Sequence, residues 1–413
     1  MCHVMKKPTA ACLAAVMCLG PAGAQLADAA EPTTRHAAPN TDDCPQLLQP
    51  PEPTTTSERL APGQLSPTPL PPAPETFCGV LAPAGFRVDP EVYAAAWMVS
   101  DLDTGEVLAM KDPHGRYRPA SIIKVLLALV AIERLDLGEE LTVSAESADQ
   151  EGSAVGLGAG GHYTVEQLLQ GLIMASGNDA AHALAQRLGG DAAALELVNA
   201  KARELGTTGT VAASYSGLDA PGMSTSAADM SVMYRAAFAN PTFARIAATE
   251  SVKFPGYDDL PEYEVWNDNG LFMNDEDGIG GKTGYTDDAH HTFVGALNRD
   301  GRRLMAVLLD TTIDHGPRAW QQAQLLLHEA YRLPPGTAVA SLSELADTPS
   351  PTAEPIPAPP TPSLHIGKAE QARPSQPEWI GWLAVGLVGA LALGVAAFTL
   401  RPRNNVHRGG PRR

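Results

Sequence analysis

The sequence predicts an α+β domain, an antiparallel sheet packed by helices with a helical insertion. Two observations place the sheet. "AAAWMVSDLDTGEVLAMKD" (94–112) reads as a hairpin, and "HTFVGALNRDGRRLMAVLLDTT" (291–312) reads as two more strands. A third places the helices: between these pairs lie apolar-periodic stretches with recognisable caps.

The first hairpin turns at Asp103, Thr104 and Gly105. "YRPASIIKVLLALVAIERL" (117–135) follows, where every residue from Ile122 to Ile132 is apolar except Lys124. An uninterrupted apolar helix is a core helix. "TVEQLLQGLIMASGNDAAHALAQRLGG" (164–190) predicts helix, break, helix. Thr164 and Gln167 fit a capping box, and Gly189-Gly190 fit a stop. "STSAADMSVMYRAAFAN" (224–240) is a further helix, and "RAWQQAQLLLHEAYRL" (318–333) closes the domain. The late strands turn at Arg299-Asp300-Gly301.

The ends of the chain predict export. Residues 1–24 carry Lys6 and Lys7, an apolar run and Ala22-Gly23-Ala24, the pattern of a signal peptide; cleavage after Ala29 is a second option. "WIGWLAVGLVGALALGVAAFTL" (379–400) lacks charge over a length able to cross a bilayer. Five arginines follow it in a basic tail, 401–413, and basic flanks stay cytoplasmic, so the bulk of the chain is expected to face outward from a bacterial cell membrane. Residues 25–85, rich in Pro and Thr, and the Pro-rich stretch 339–378 are expected to be extended spacers, because such composition buries too little to offset its ordering entropy. A globular domain, 86–338, remains between them. Cys44 and Cys78 remain after signal cleavage and are expected to pair as a disulfide in an exported protein. The formal net charge is −18, and the leader and tail hold basic residues, so the exported part is more acidic still. Such a surface repels nucleic acid.

Ser121 and Lys124 share a helix face at i, i+3 near a helix start, where orphan N–H groups favour developing negative charge. A serine hydroxyl needs a base to become a nucleophile, and a lysine serves only when neutral. Burial among Ile122, Ile123, Val125 and Leu126 disfavours the charged form, as does a second cation. The alternative is that Ser121 merely caps the helix. Ser176-Gly177-Asn178 falls in the break between two helices, where Ser176 is placed to relay a proton and Asn178 to bind an amide or to cap. "GIGGKTGYT" crowds glycines before a strand, which suits close approach by a peptide pairing with a sheet edge. Lys282 and Thr283 then suit its carboxylate, and Lys282 supplies the second cation. The alternative is an ordinary turn with an exposed lysine. His290 and His291 lack zinc-site spacing and read as surface or groove residues, so no metal and no cofactor is expected.

Taken together, S-x-x-K at Ser121, S-x-N at Ser176 and K-T-G at Lys282 resemble the penicillin-recognising serine enzymes, of β-lactamase/transpeptidase-like fold. The stretches "YRPASIIK", "SGLDAPGMSTSAADM", "WNDNGLF" and "GGKTGYTDDA" resemble, more narrowly, the serine-type D-alanyl-D-alanine carboxypeptidases. The resemblance implies that Ser121 attacks the terminal D-Ala-D-Ala bond of a peptidoglycan stem peptide, Lys124 takes its proton and Ser176 passes protons to the leaving amine. It implies Asn178, Lys282, Thr283, Gly284 and Tyr285 as substrate-binding residues, the oxyanion on the N–H groups of Ser121 and Tyr285, and β-lactams as covalent inhibitors. Ala289-His290-His291 departs from the Ala-Gly that many relatives show there. A class A β-lactamase is the nearest rival, but Glu196-Leu197-Val198-Asn199 is one residue short of its Glu-x-x-Leu-Asn element. A transpeptidase differs by using an amine acceptor. A non-catalytic wall-binding or antibiotic-sensing module has no need of a neutral lysine.

Overall fold

The computed structural model describes residues 35–73 and 77–346. The expected signal peptide, membrane span and basic tail lie outside the described residues. Among the described residues no helix is long and apolar enough to cross a membrane.

β1 (Val80–Leu81), β2 (Ala96–Asp101) and β3 (Glu106–Lys111) come first, with β2 and β3 joined by the expected turn. A 3₁₀ turn, Ala120–Ile123, leads into α1 (Lys124–Arg134). The helical insertion follows. It holds the hairpin β4 (Glu140–Thr142) and β5 (His162–Thr164) with α2 (Ala145–Ala148) between them, then α3 (Val165–Met174) and α4 (Asn178–Arg187). α5 (Asp191–Glu204), α6 (Ala227–Ala239) and α7 (Pro241–Ala247) complete it. A small hairpin of β6 (Ser251–Phe254) and β7 (Tyr263–Trp266), then α8 (Gly270–Asn274), return the chain to the sheet. β8 (Gly278–Thr286), β9 (His290–Arg299) and β10 (Arg302–Thr311) form a meander, and α9 (Ala319–Ala330) packs on it. β11 (Ala340–Ser341) and α10 (Leu342–Ala346) come last.

The main sheet is antiparallel in the order β1-β3-β2-β10-β9-β8, with β11 also paired to β3. Period-two alternation explains why central strands read as apolar throughout. On β10, Met305, Val307 and Leu309 face a core shared with α1, α3 and α6, while Leu304, Ala306 and Leu308 face a second core under α9. Thr164 and Gln167 make the expected capping box, and Ser226 caps α6 by accepting from the Asp229 N–H. In α1, Leu126, Leu127 and Val130 are fully buried. Each such side chain contributes about 1.5–3 kcal/mol, which makes room for one unfavourable residue, Lys124, in the same helix.

Two segments depart from the spacer expectation. Residues 340–346 continue the domain, since Ala340 pairs with Val107 and Leu342 is buried. Residues 35–73 have no regular secondary structure but form a strap on the domain surface. Cys44 and Cys78 are joined by a disulfide. Arg35 pairs with Asp310 at 2.8 Å, Lys111 donates to the Pro39 carbonyl, and Arg116 donates to the Pro71 carbonyl. The compositional argument counts apolar burial alone; here the strap is held by a covalent link and by buried charges that need its carbonyls and hydroxyls.

Candidate active site

The 3₁₀ turn before α1 explains how Ser121 and Lys124 meet. Side chains at i and i+3 eclipse in a 3₁₀ helix, and Lys124 Nζ lies 2.8 Å from Ser121 Oγ. Three anchors fix that turn. Thr292 Oγ1 on β9 donates to the Pro119 carbonyl at 2.8 Å, Tyr234 on α6 donates to the Ile122 carbonyl at 2.8 Å, and Tyr117 bridges to Thr225. Ala120, immediately before Ser121, has φ +48, a left-handed conformation that costs an L-residue energy and persists only where its surroundings impose it.

Lys124 is 1 % exposed and Lys282 is 2 % exposed, so neither ammonium is paid for by water. Burial holds the Lys124 amine well below its usual range, and the neighbouring Lys282 pushes it the same way. Asp268 and Asp179 act in the opposite sense. Burial also lowers Lys282, but Asp268, 4.0 Å away, favours its charged form. Both amines are lowered by burial, Lys124 further than Lys282, because Lys282 adds its charge to the burial of Lys124. Lys124 also donates to the Ser216 carbonyl, a backbone contact that aims it at Ser121.

β8 is the edge of the sheet, and its K-T-G segment lies against the turn that carries Ser121. A Cβ on Gly284 would stand 3.0 Å from the Ser121 nitrogen and 2.3 Å from Thr292 Oγ1, so only glycine allows this approach. Thr283 donates to Asp268 at 2.8 Å, and the Lys282 ammonium donates to the Thr283 carbonyl. Tyr285 is exposed, its ring 4.7 Å from that of His291 across the β8–β9 pairing. Ser176, at φ +61, occupies the break between α3 and α4. Asn178 heads α4; its amide donates to the Glu151 carbonyl, and its buried Oδ1 has no partner. The Asp268 N–H donates to the Met174 carbonyl, tying the segment that supports Lys282 to the end of α3.

Ser121, Lys124, Lys282, Thr283 and Gly284 therefore share one cleft wall. The sequence reading assigned no role to Ser216, Asp268 or Asp219. All three lie in stretches quoted for the family resemblance, but the Ser216 contact is made by its backbone carbonyl and leaves no side-chain signature. His290 bonds Asp310 at 2.6 Å, and no group of three or more His, Cys, Asp or Glu among the described residues is placed to hold a metal. Glu196 lies exposed on α5, and the Asn199 side chain bonds the Ala212 backbone, so the near-match to a β-lactamase loop is a helix packing feature.

Gly217 gives a prediction. At φ +86, its added Cβ would meet the Ala120 carbonyl oxygen at 2.2 Å and the Ser121 nitrogen at 2.8 Å. Gly217→Ala is expected to displace the turn that carries Ser121 and lower acylation of that hydroxyl by a serine-directed reagent about 10²-fold. Stopped-flow acylation rates beside a thermal melt check this, and an unchanged rate contradicts the packing argument.

The profile of the D-alanyl-D-alanine carboxypeptidase family, peptidase S11, matches residues 85–312. The chain is 45% identical over 263 residues to D-alanyl-D-alanine carboxypeptidase DacB2 of Mycobacterium tuberculosis, covering 63% of this chain and 90% of that protein. It is 32% identical over 231 residues to D-alanyl-D-alanine carboxypeptidase DacF of Bacillus subtilis, covering 52% of this chain and 57% of that one. The crystal structure of a D-alanyl-D-alanine carboxypeptidase from M. tuberculosis aligns with a TM-score of 0.60 at 44% identity, over 63% of this chain and 99% of that one. That of a Streptomyces DD-transpeptidase aligns with a TM-score of 0.55 at 25% identity, over 58% and 97%.

Proposed function

The chain belongs to the peptidase S11 family of D-alanyl-D-alanine carboxypeptidases, and from that premise we propose how its residues divide the reaction. It is a serine-type carboxypeptidase acting on peptidoglycan stem peptides. The observation that carries the assignment of roles is the buried lysine 2.8 Å from Ser121 Oγ. Ser121 Oγ attacks the carbonyl carbon of the penultimate D-alanine while neutral Lys124 takes the hydroxyl proton. The oxyanion sits on the N–H groups of Ser121 and Tyr285, where donors fixed in advance stabilise developing charge. The C–N bond breaks, Ser176 passes a proton to the leaving D-alanine amine, and water hydrolyses the acyl ester to regenerate Ser121.

Substrate binding follows from the β8 edge. A peptide adds to that edge as a further strand. Lys282 and Thr283 take its terminal carboxylate, and the unpartnered Oδ1 of Asn178 accepts from a substrate amide N–H. A β-lactam acylates Ser121 by the same attack and stays bound. The leader, the span at 379–400 and the basic tail support a single-pass anchor with the catalytic domain outside a bacterial cell membrane.

The test is free D-alanine release from a stem pentapeptide ending in D-Ala-D-Ala, together with peptide mapping after β-lactam treatment. Release, and an adduct on the peptide containing Ser121, are expected. An adduct elsewhere overturns the assignment of the nucleophile.

A further inference from the structure

With the terminal carboxylate at Lys282 and Thr283 and the oxyanion at Tyr285, the direction of the bound peptide is set. Each strand residue advances about 3.3 Å. The part of the stem upstream of the scissile bond must therefore pass Tyr285 toward Thr286, Asp287 and Asp288. The N-terminal strap stands at that point. The Thr54 and Thr55 N–H groups donate to Asp288 Oδ1 at 2.7 and 2.8 Å, and the Thr55 and Ser57 hydroxyls donate to Oδ2. The Thr54 hydroxyl also donates to the Asp287 carbonyl. Burial pushes the Asp288 carboxyl up, but the Ser57, Thr55 and Thr54 donors outweigh it and hold the group at about 2, so the clamp stays ionised.

The same stretch also holds Arg118, just before the Ser121 turn, and the loop after Ser216. Glu58 accepts from Arg118 at 2.8 Å and from the Gly222 N–H at 3.2 Å, and Arg118 donates to the Pro51 carbonyl. Asp219, on the loop that carries Ser216, accepts from the Thr286 hydroxyl at 2.9 Å and the Asp288 N–H at 3.3 Å. Strap, loop and β8–β9 turn thus form one hydrogen-bonded rim, with Thr54, Thr55 and Thr56 still exposed on it.

We propose that residues 54–57 of the strap form the acyl-side wall of the substrate groove and select for stem peptides that extend upstream of D-Ala-D-Ala. The strap precedes residue 85, where the match to the family profile begins. The inference rests on the carboxypeptidase reading above. The Thr54, Thr55 and Ser57 hydroxyls are spent on holding the strap to Asp287 and Asp288, which leaves the exposed face of the strap, Thr56 included, as the surface an upstream peptide meets.

The experiment uses the full chain and three probes: a stem pentapeptide, a blocked diacyl tripeptide ending in D-Ala-D-Ala with the same diamino acid, and benzylpenicillin. Thr55→Val/Ser57→Ala removes both hydroxyl donors to Asp288 Oδ2 and so loosens the wall; kcat/KM for the pentapeptide is expected to fall about tenfold through KM. The tripeptide and benzylpenicillin values should stay within about twofold. Equal loss on all three probes, or no loss on any, overturns the proposal. Thr56→Trp covers the case in which the double variant fails to fold, since it adds bulk to the wall and leaves the Asp288 clamp intact. It must alter pentapeptide turnover and spare the tripeptide. Failure of the unaltered chain to release D-alanine from either peptide would instead remove the carboxypeptidase reading.

Discussion

Lys124→Met is expected to lower kcat/KM for D-alanine release by about 10³-fold, within the range a positioned base contributes. Methionine keeps the length and the apolar packing and removes only the proton acceptor. In the parent enzyme the acid limb of kcat/KM is expected to report Lys124. Activity rises with pH as that amine loses its proton, and the limb falls well below the ordinary lysine range because burial and Lys282 both lower it. The variant should lack that limb. Stability gives an independent reading of the same group. An unfolded lysine titrates near 10.4, while folded Lys124 is neutral well below that. Between the two values the unfolded chain binds more protons, so the parent gains stability as pH rises through this window. The Tm of the variant relative to the parent should therefore fall from pH 6 to pH 10. A flat difference would mean that Lys124 is charged in the folded protein, which rules it out as the base.

Ser121→Ala is expected to cost at least about 10⁴-fold in D-alanine release, on the scale seen when a nucleophile acting in concert with its base is removed. The two residues act as a unit, so the double variant Ser121→Ala/Lys124→Met should be little worse than either alone. Binding should survive, because Lys282, Thr283 and the β8 edge are untouched. Intact mass after β-lactam treatment should show no adduct, while equilibrium binding of a stem peptide changes little. Residual release at the parental rate would place the nucleophile elsewhere.

The sequence carries those parts of this fold that rest on local chemistry. The turn at Asp103–Gly105, the Thr164 capping box and the Arg299–Gly301 turn each follow from a few neighbouring residues, and each lies where its chemistry places it. The S-x-x-K, S-x-N and K-T-G elements are legible for the same reason. The 3₁₀ turn at Ala120–Ile123 was not. Its residues suit an α-helix, and the geometry is imposed by Thr292 and Tyr234, distant in the chain. The glycines of β8 suggest a segment leading into a strand, yet they are themselves strand, because pairing with β9 outweighs their poor propensity. The strap escaped because proline and threonine content was weighed as a lack of apolar surface. Asp288, Arg118 and Lys111 hold it instead, through polar groups that composition does not rank.

The link between Cys44 and Cys78 has a consequence for when the enzyme becomes complete. It spans 34 residues of sequence and encloses the stretch that clamps Asp288. Without it, ordering the strap rests on polar contacts alone, each worth about 1 kcal/mol net against a comparable entropy cost for every residue fixed. A chain kept in reducing surroundings can assemble Ser121 and Lys124 while its upstream rim stays open. Under the role proposed for the strap, upstream selectivity in such a chain is expected to wait on formation of this disulfide.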